Sequence, residues 1–224
     1  MEPIHPQVFV TGATGYVGSR LIPRLQAAGC EVAALARKVS INRVPLGCRV
    51  VMGDALDHRT YCQAIVPAQT LVHLVGVAHP SPLKARQFES IDLVAVHAMV
   101  QAAQQAQVRH IVFVSVAQPP PMPVMRDYVR VRMECERLIA ATGIPTTVVR
   151  PWYVIGPGHW WPLAVLPAYC LWERTFSWQR GFRALDLVTI RQLVETLAWA
   201  VLHPPRGQRI LSVEAIRNGG LAGC

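Results

Sequence analysis

The stretch RDYVRVRMECERL, beginning at Arg126, sets Tyr128, Arg132 and Glu136 at successive four-residue intervals. On a helix, residues four apart share a face, so a phenol, a guanidinium and a carboxylate would stand in one row. A phenol beside a fixed cation can hand over a proton and keep the resulting anion stable. The same row also fits a solvated helix surface, where an Arg132–Glu136 pair contributes only a few tenths of a kcal/mol. The choice between a proton-transfer site, its remnant and a plain surface rests on what lies upstream.

Upstream, VFVTGATGYVGSRL places Gly12, Gly15 and Gly18 between a β-rich run and an amphipathic segment. Gly12 permits a tight turn, Gly15 lets a pyrophosphate approach the backbone, and Gly18 allows close packing of the helix on the sheet. The helix N-terminus then offers free amides and a positive dipole end to phosphate. Thr14, Tyr16 and Val17, interleaved with these glycines, are counted with them as cofactor-contacting positions. The second strand ends in ALARK, with Arg37 where a carboxylate would otherwise accept from a ribose 2′-hydroxyl. A guanidinium there favours a 2′-phosphate, so the expected cofactor is NADP rather than NAD. A solvated loop charge is the plain alternative for Arg37.

The elements that must position these residues alternate regularly. QVFVT, EVAALAR, CRVVMGD, TLVHLVG, HIVFVS and PTTVVR read as strands, with helix-like segments between them. Continuous apolar strands alternating with helices predict an α/β fold, a doubly wound parallel sheet of the Rossmann kind in order 3-2-1-4-5-6. Residues 1–150 are read as the dinucleotide-binding domain. Residues 151–224 are read as a small, irregular C-terminal lobe plus a helix and strand that return to the same domain. Gly29 is expected to cap the first helix, and Pro23 to kink it. ARQFESIDLVAVHAMVQAAQQAQ is expected to form one long helix.

Composition narrows the function classes. Hydrophobic residues make up 52% and charged residues 16%, the balance of a packed globule. The net charge of +9 is scattered, without a basic run or an aromatic-interleaved stripe, which argues against nucleic acid as partner. Six cysteines show no C-x-x-C spacing, and no His/Cys set has metal-ligand intervals, so no metal site is expected. They read as reduced thiols of a cytoplasmic protein. No signal peptide and no membrane span are expected, because the longest apolar run is short and broken by prolines.

The T-G-x-x-G-x-x-G spacing resembles that of the short-chain dehydrogenase/reductase superfamily, most closely its extended and atypical members, from Val8 to about Gly158. The resemblance implies an NAD(P)-binding Rossmann domain with a substrate lobe behind it. It implies that Asp54 in GDALD contacts the adenine, with a helix-entry cap as the alternative. It implies that Leu74, Val75 and Gly76 pass beneath the adenosine ribose, and that Pro151 and Tyr153 in VVRPWYVIGPG border the nicotinamide. In that superfamily a Tyr-x-x-x-Lys pair does the chemistry with a serine from the fifth strand. Here the resemblance gives Tyr128 as proton donor, Arg132 in place of the lysine, and Ser115 as a polar neighbour one position early, followed by Val116 and Ala117. The expected activity is an NADP(H)-dependent oxidoreductase acting on a small apolar carbonyl or quinone-like substrate. A non-catalytic NADP-binding sensor or accessory protein is the second reading, and a sugar-nucleotide epimerase or dehydratase the third. The segment GHWWPLAVLPAYCLW is expected to line the substrate cleft, or else to bury a contact to a second copy or a protein partner.

Overall fold

The computed structural model describes residues 6–77, 81–118, 125–159 and 187–219. The strands are β1 (Gln7–Thr11), β2 (Glu31–Ala36), β3 (Arg49–Met52), β4 (Thr70–His73), β5 (His110–Val114), β6 (Thr146–Val149), β7 (Tyr153–Ile155), β8 (Leu187–Thr189) and β9 (Gln208–Leu211). The main helices are α1 (Gly18–Ala27), α2 (Cys62–Ile65), α3 (Ala85–Gln87), α4 (Val94–Gln105), α5 (Arg126–Ala140), α6 (Ile190–Leu202) and α7 (Val213–Arg217). Seven strands form one parallel sheet in the order β3-β2-β1-β4-β5-β6-β9, and β7 pairs in parallel with β8. The expected order is therefore present, extended by β9 beyond β6.

Alternation along the strands explains why both faces are covered. Phe9, Leu71, Ile111, Phe113 and Val148 pack on one face with Tyr61, Phe88, Met99 and Ile139. Their neighbours Val8, Val10, Val72, Val112 and Val149 pack on the other with Leu21, Ile22, Leu25, Leu193 and Leu197. A period of two with apolar side chains on both sides requires helices on both sides.

Helix ends follow local chemistry. Gly29, at φ 81°, lets its own amide reach Gln26 O and the Cys30 amide reach Leu25 O, which terminates α1. Thr189 and Gln192 cap α6 reciprocally. The helix α1 continues through Pro23, whose ring is exposed.

One expectation needs correction. The long helix from Ala85 is not uniform: a π-helical segment, Phe88–Leu93, separates α3 from α4. The wider turn brings Asp92 fully inside while Glu89 remains outside, paired with Arg130 at 2.8 Å.

Candidate functional site

The glycine turn lies where β1 meets α1. Gly12 has φ +74°, and a Cβ there would stand 2.8 Å from the carbonyl carbon of Leu74. A Cβ on Gly18 would stand 2.4 Å from Gly12 O, so only glycine lets the helix close on its own loop. The amides of Tyr16, Val17 and Gly18 donate to no backbone carbonyl among the described residues, as the first turn of a helix requires. Leu74 N–H donates to Thr11 O at 3.1 Å, setting the turn beside the segment that follows β4.

Between these two segments lies a groove of about 450 Å³ at the carboxyl ends of the strands. Gly12, Thr14, Gly15, Arg37, Asp54, Leu74, Val75 and Gly76 all line it, together with Ser40, Lys84, Gln87 and Ile91. Arg37 is exposed there. Asp54 Oδ1 accepts from Leu56 N–H at 3.0 Å, so it organises its own turn while facing the groove. The turn therefore fits a dinucleotide: it is pared to backbone, its amides are uncommitted, and a cation stands beside it. Another groove, of about 550 Å³, lies at the opposite ends of the strands by Gln7, Glu31 and Pro67. It contains none of these residues, and parallel sheets place ligands at their carboxyl ends.

Several of the expected residues turn their side chains away from the groove, although the amides of Tyr16, Val17 and Gly18 remain at its edge. Tyr16 turns aside: its ring stacks on His159 at 4.9 Å, with the Arg20 guanidinium 4.1 Å from its centroid. Val17 caps α1, and Gly18 is buried under it. Pro151 O accepts from Ala117 N–H at 2.9 Å, and Tyr153 opens β7 with its ring against Trp152. Neither Pro151 nor Tyr153 lines the groove. The Trp-rich segment from Trp160 onward falls outside the described residues.

On α5 the row of three residues is buried, not a solvated surface pair. Tyr128, Arg132 and Glu136 are 9%, 6% and 6% exposed. The Tyr128 ring packs on Phe88 with centroids 4.9 Å apart. Arg132 Nε donates to the Tyr128 hydroxyl at 3.4 Å and lies 3.7 Å from Asp92 Oδ2. Burial alone would lower the pKa of Arg132, but the neighbouring Tyr128 and Asp92 outweigh it, so the guanidinium stays charged. Burial raises the Asp92 carboxyl, with Arg132 and the Val77 amide opposing.

Glu136 does not pair with Arg132. Its Oε1 accepts from Ser115 Oγ–H, and Arg150 grips both of its oxygens, Nε at 3.1 Å from Oε1 and Nη2 on Oε2. Ser115 is itself 4% exposed. Its backbone N–H donates to Val149 O at 2.8 Å, and Arg150 N–H donates to Leu211 O at 2.9 Å, so β5, β6 and β9 fix this cluster together.

Asp92 and Arg150 were not singled out from the sequence as parts of the site. For Asp92 a signal existed: a lone acid in the apolar run SIDLVAV requires a buried partner. For Arg150 the sequence offered only its place at a strand end. Among the described residues no cluster suits a metal ion, and no helix is long and apolar enough to cross a membrane.

The chain is 32% identical over 176 residues to 3-diazoavenalumate denitrifying reductase of a Streptomyces species, covering 68% of this chain and 57% of that protein. It is 27% identical to sterol demethylase protein B of Methylococcus capsulatus over 90% of this chain and 68% of that one. It is 31% identical to pinoresinol reductase 1 of Arabidopsis thaliana over 67% of this chain and 48% of that one. The chain thus spans about half to two thirds of the length of these relatives. Among solved structures, the Bordetella bronchiseptica enzyme WbmH in complex with NAD+ superposes with a TM-score of 0.69 at 21% identity, covering 93% of this chain and 76% of that one. That likeness concerns the fold. The model of the family described as NAD(P)H-binding matches residues 12–156, from the glycine turn to the end of β7. Over that stretch the chain belongs to the NAD(P)H-binding family.

Proposed function

We propose that this chain is an NADP(H)-dependent oxidoreductase of the atypical short-chain type, reducing a small apolar carbonyl or quinone-like substrate in the cytoplasm. The observation that carries this reading is the Tyr128 hydroxyl held 3.4 Å from the buried Arg132, at the groove-lining residue Gly76. The bound cofactor would supply a hydride. The glycine turn and the uncommitted amides at the start of α1 would hold its phosphates, and Arg37 would pair with its 2′-phosphate. Tyr128 gives its proton to the substrate oxygen as negative charge develops there, and Arg132 stabilises the phenolate left behind. Ser115 is a fixed polar neighbour, since its proton is committed to Glu136. The reductases among the relatives, including a ketoreductase of Stigmatella aurantiaca, support the reductive direction. The cysteines Cys30, Cys48, Cys62 and Cys135 are free thiols, which supports a reducing compartment.

A panel of quinones and aldehydes offered with NADPH, followed by loss of reduced-nicotinamide absorbance, tests turnover. Tyr128→Phe should then lower kcat on the order of 100-fold or more. Arg37→Ala should weaken NADPH on the order of tenfold while leaving NADH nearly unchanged, as titration by fluorescence would show. Equal losses for both cofactors would overturn the NADP assignment.

A second reading has its own support. Ser115 donates into Glu136, and the next two side chains are Val116 and Ala117. The site thus lacks a free hydroxyl at that strand end, which suits a non-catalytic NADP-binding sensor or accessory protein. Tight NADPH binding without turnover on the whole panel would select that reading.

A further inference from the structure

We propose that Gly76 and Asp92 are positioning residues for Arg132. Together they form a berth shaped for a guanidinium, through which the floor of the groove and the proton donor Tyr128 are held as one unit. This rests on the reading of Tyr128 and Arg132 given above.

Three independent observations meet at the berth. The first is space. A Cβ on Gly76 would lie 2.2 Å from Arg132 Nη2 and 3.3 Å from its Cζ, so the guanidinium occupies the place a side chain would need. An ammonium ends at about the position of Cζ and would leave most of that overlap empty. The second is charge. Asp92 and Arg132 have side chains 0% and 7% exposed, and Nε stands 3.7 Å from Oδ2. A buried ion pair seldom repays its desolvation, so its presence here calls for a role other than general stability. The third is the backbone. Asp92 lies in the π-helical segment Phe88–Leu93, and π turns concentrate at functional sites.

The same carboxylate also reaches the groove. Asp92 Oδ1 accepts from Val77 N–H at 2.7 Å, and Gly76 and Val77 both line the groove. One acid therefore ties the groove floor with one oxygen and faces the guanidinium with the other. Among the described residues Arg132 Nη1 and Asp92 Oδ2 have no hydrogen-bond partner, so charge and packing locate the pair.

Substitutions separate positioning from a merely structural role. Asp92→Asn keeps an acceptor for Val77 N–H and removes the charge. It should lower kcat on the order of 100-fold, the cost of about an ångström of misplacement, with NADPH affinity within a few-fold of the parent. Unchanged kcat, or affinity falling in step with kcat, overturns the proposal. The second measurement needs no turnover. Gly76→Ala should lower the melting temperature by roughly 10 °C in the parent chain but by much less in the R132K background, where the shorter cation vacates the space. Losses that simply add across the G76A, R132K and double variants would overturn the berth. If no substrate turns over but the losses are non-additive, the berth stands and the reductase reading falls.

Discussion

At the glycine turn the decisive contacts are made by backbone: Gly12 beside Leu74, Gly18 against Gly12 O, and the open amides of α1. On α5 they are made by side chains from distant segments, with Asp92 on the π segment serving Arg132 and Arg150 after β6 serving Glu136. The first arrangement rests on backbone atoms and tolerates almost no change of residue at Gly12 or Gly18. The second is assembled by side chains across forty positions where Asp92 meets Arg132, and Cys135 nearby donates its thiol proton to the backbone O of Asp92. Its parts can be exchanged if their partners change with them. That difference explains how the glycine spacing can be kept strictly while a side-chain position such as Arg132 is free to vary together with its partners.

The largest expected effect would break the backbone half. Gly18→Ala pushes a methyl to within 2.4 Å of Gly12 O and 2.8 Å of Ala13 Cα, atoms that cannot step aside. It should cost about 3 kcal/mol in denaturant unfolding and abolish measurable dinucleotide binding. A well-folded, binding-competent variant would show that the turn is less constrained than it looks.

A somewhat smaller effect sharpens the side-chain half. Glu136→Gln leaves the Arg150 guanidinium, only 23% exposed, without its counter-charge, and should cost about 2 kcal/mol, partial exposure screening the full buried-pair loss. The control is Arg24–Glu195 on the outer face, a 2.9 Å pair whose side chains are 39% and 42% exposed. Glu195→Ala there should cost no more than about 1 kcal/mol. Similar losses for the two pairs would remove the distinction between buried cluster and surface pair.

The effect that is smallest per step, taken one pH unit at a time, compares the two ends of the sheet. Burial, with Arg132 adding to it, pushes the His73 imidazole down to about 3, at the groove end of β4. Burial, with Arg209 adding, pushes His110 down to about 4 at the start of β5. Both values lie below the ordinary one near 6.5, so the unfolded chain takes up protons first. Stability is therefore full above about pH 6.5 and falls as the pH drops, by up to about 1.4 kcal/mol per unit for each imidazole. His110 should stop contributing near its folded value of about 4 and His73 near about 3. Denaturant titrations at stepped pH check this, and a His73→Asn variant should flatten the lowest part of the curve. A flat profile in the parent would mean that neither ring is buried neutral.

The contrast also explains what could be read before any coordinates. Strand order and the glycine turn follow from alternation and turn chemistry, while Asp54 and Leu74 to Gly76 are legible only through the family resemblance. The partners on α5 follow from neither. Spacing puts Arg132 and Glu136 four apart and suggests that they meet, but both face the core, where each finds a nearer opposite charge on another element. Helical periodicity likewise gave no sign of the π segment, because one widened turn barely alters an apolar pattern while re-aiming a single acid. The sequence does not show where the Tyr16 ring goes: it packs between His159 and Arg20, while its amide stays with the glycine turn.

The strand β9 deserves a last consequence. By pairing Leu211 O with Arg150 N–H it makes β6 an inner strand rather than a rim. Tags, fusions or deletions placed near residue 208 would thus tug on the guanidinium that restrains Glu136, although no atom there comes near the groove. Anyone recombining pieces of this scaffold should treat that distant ribbon as part of the machinery and carry it along.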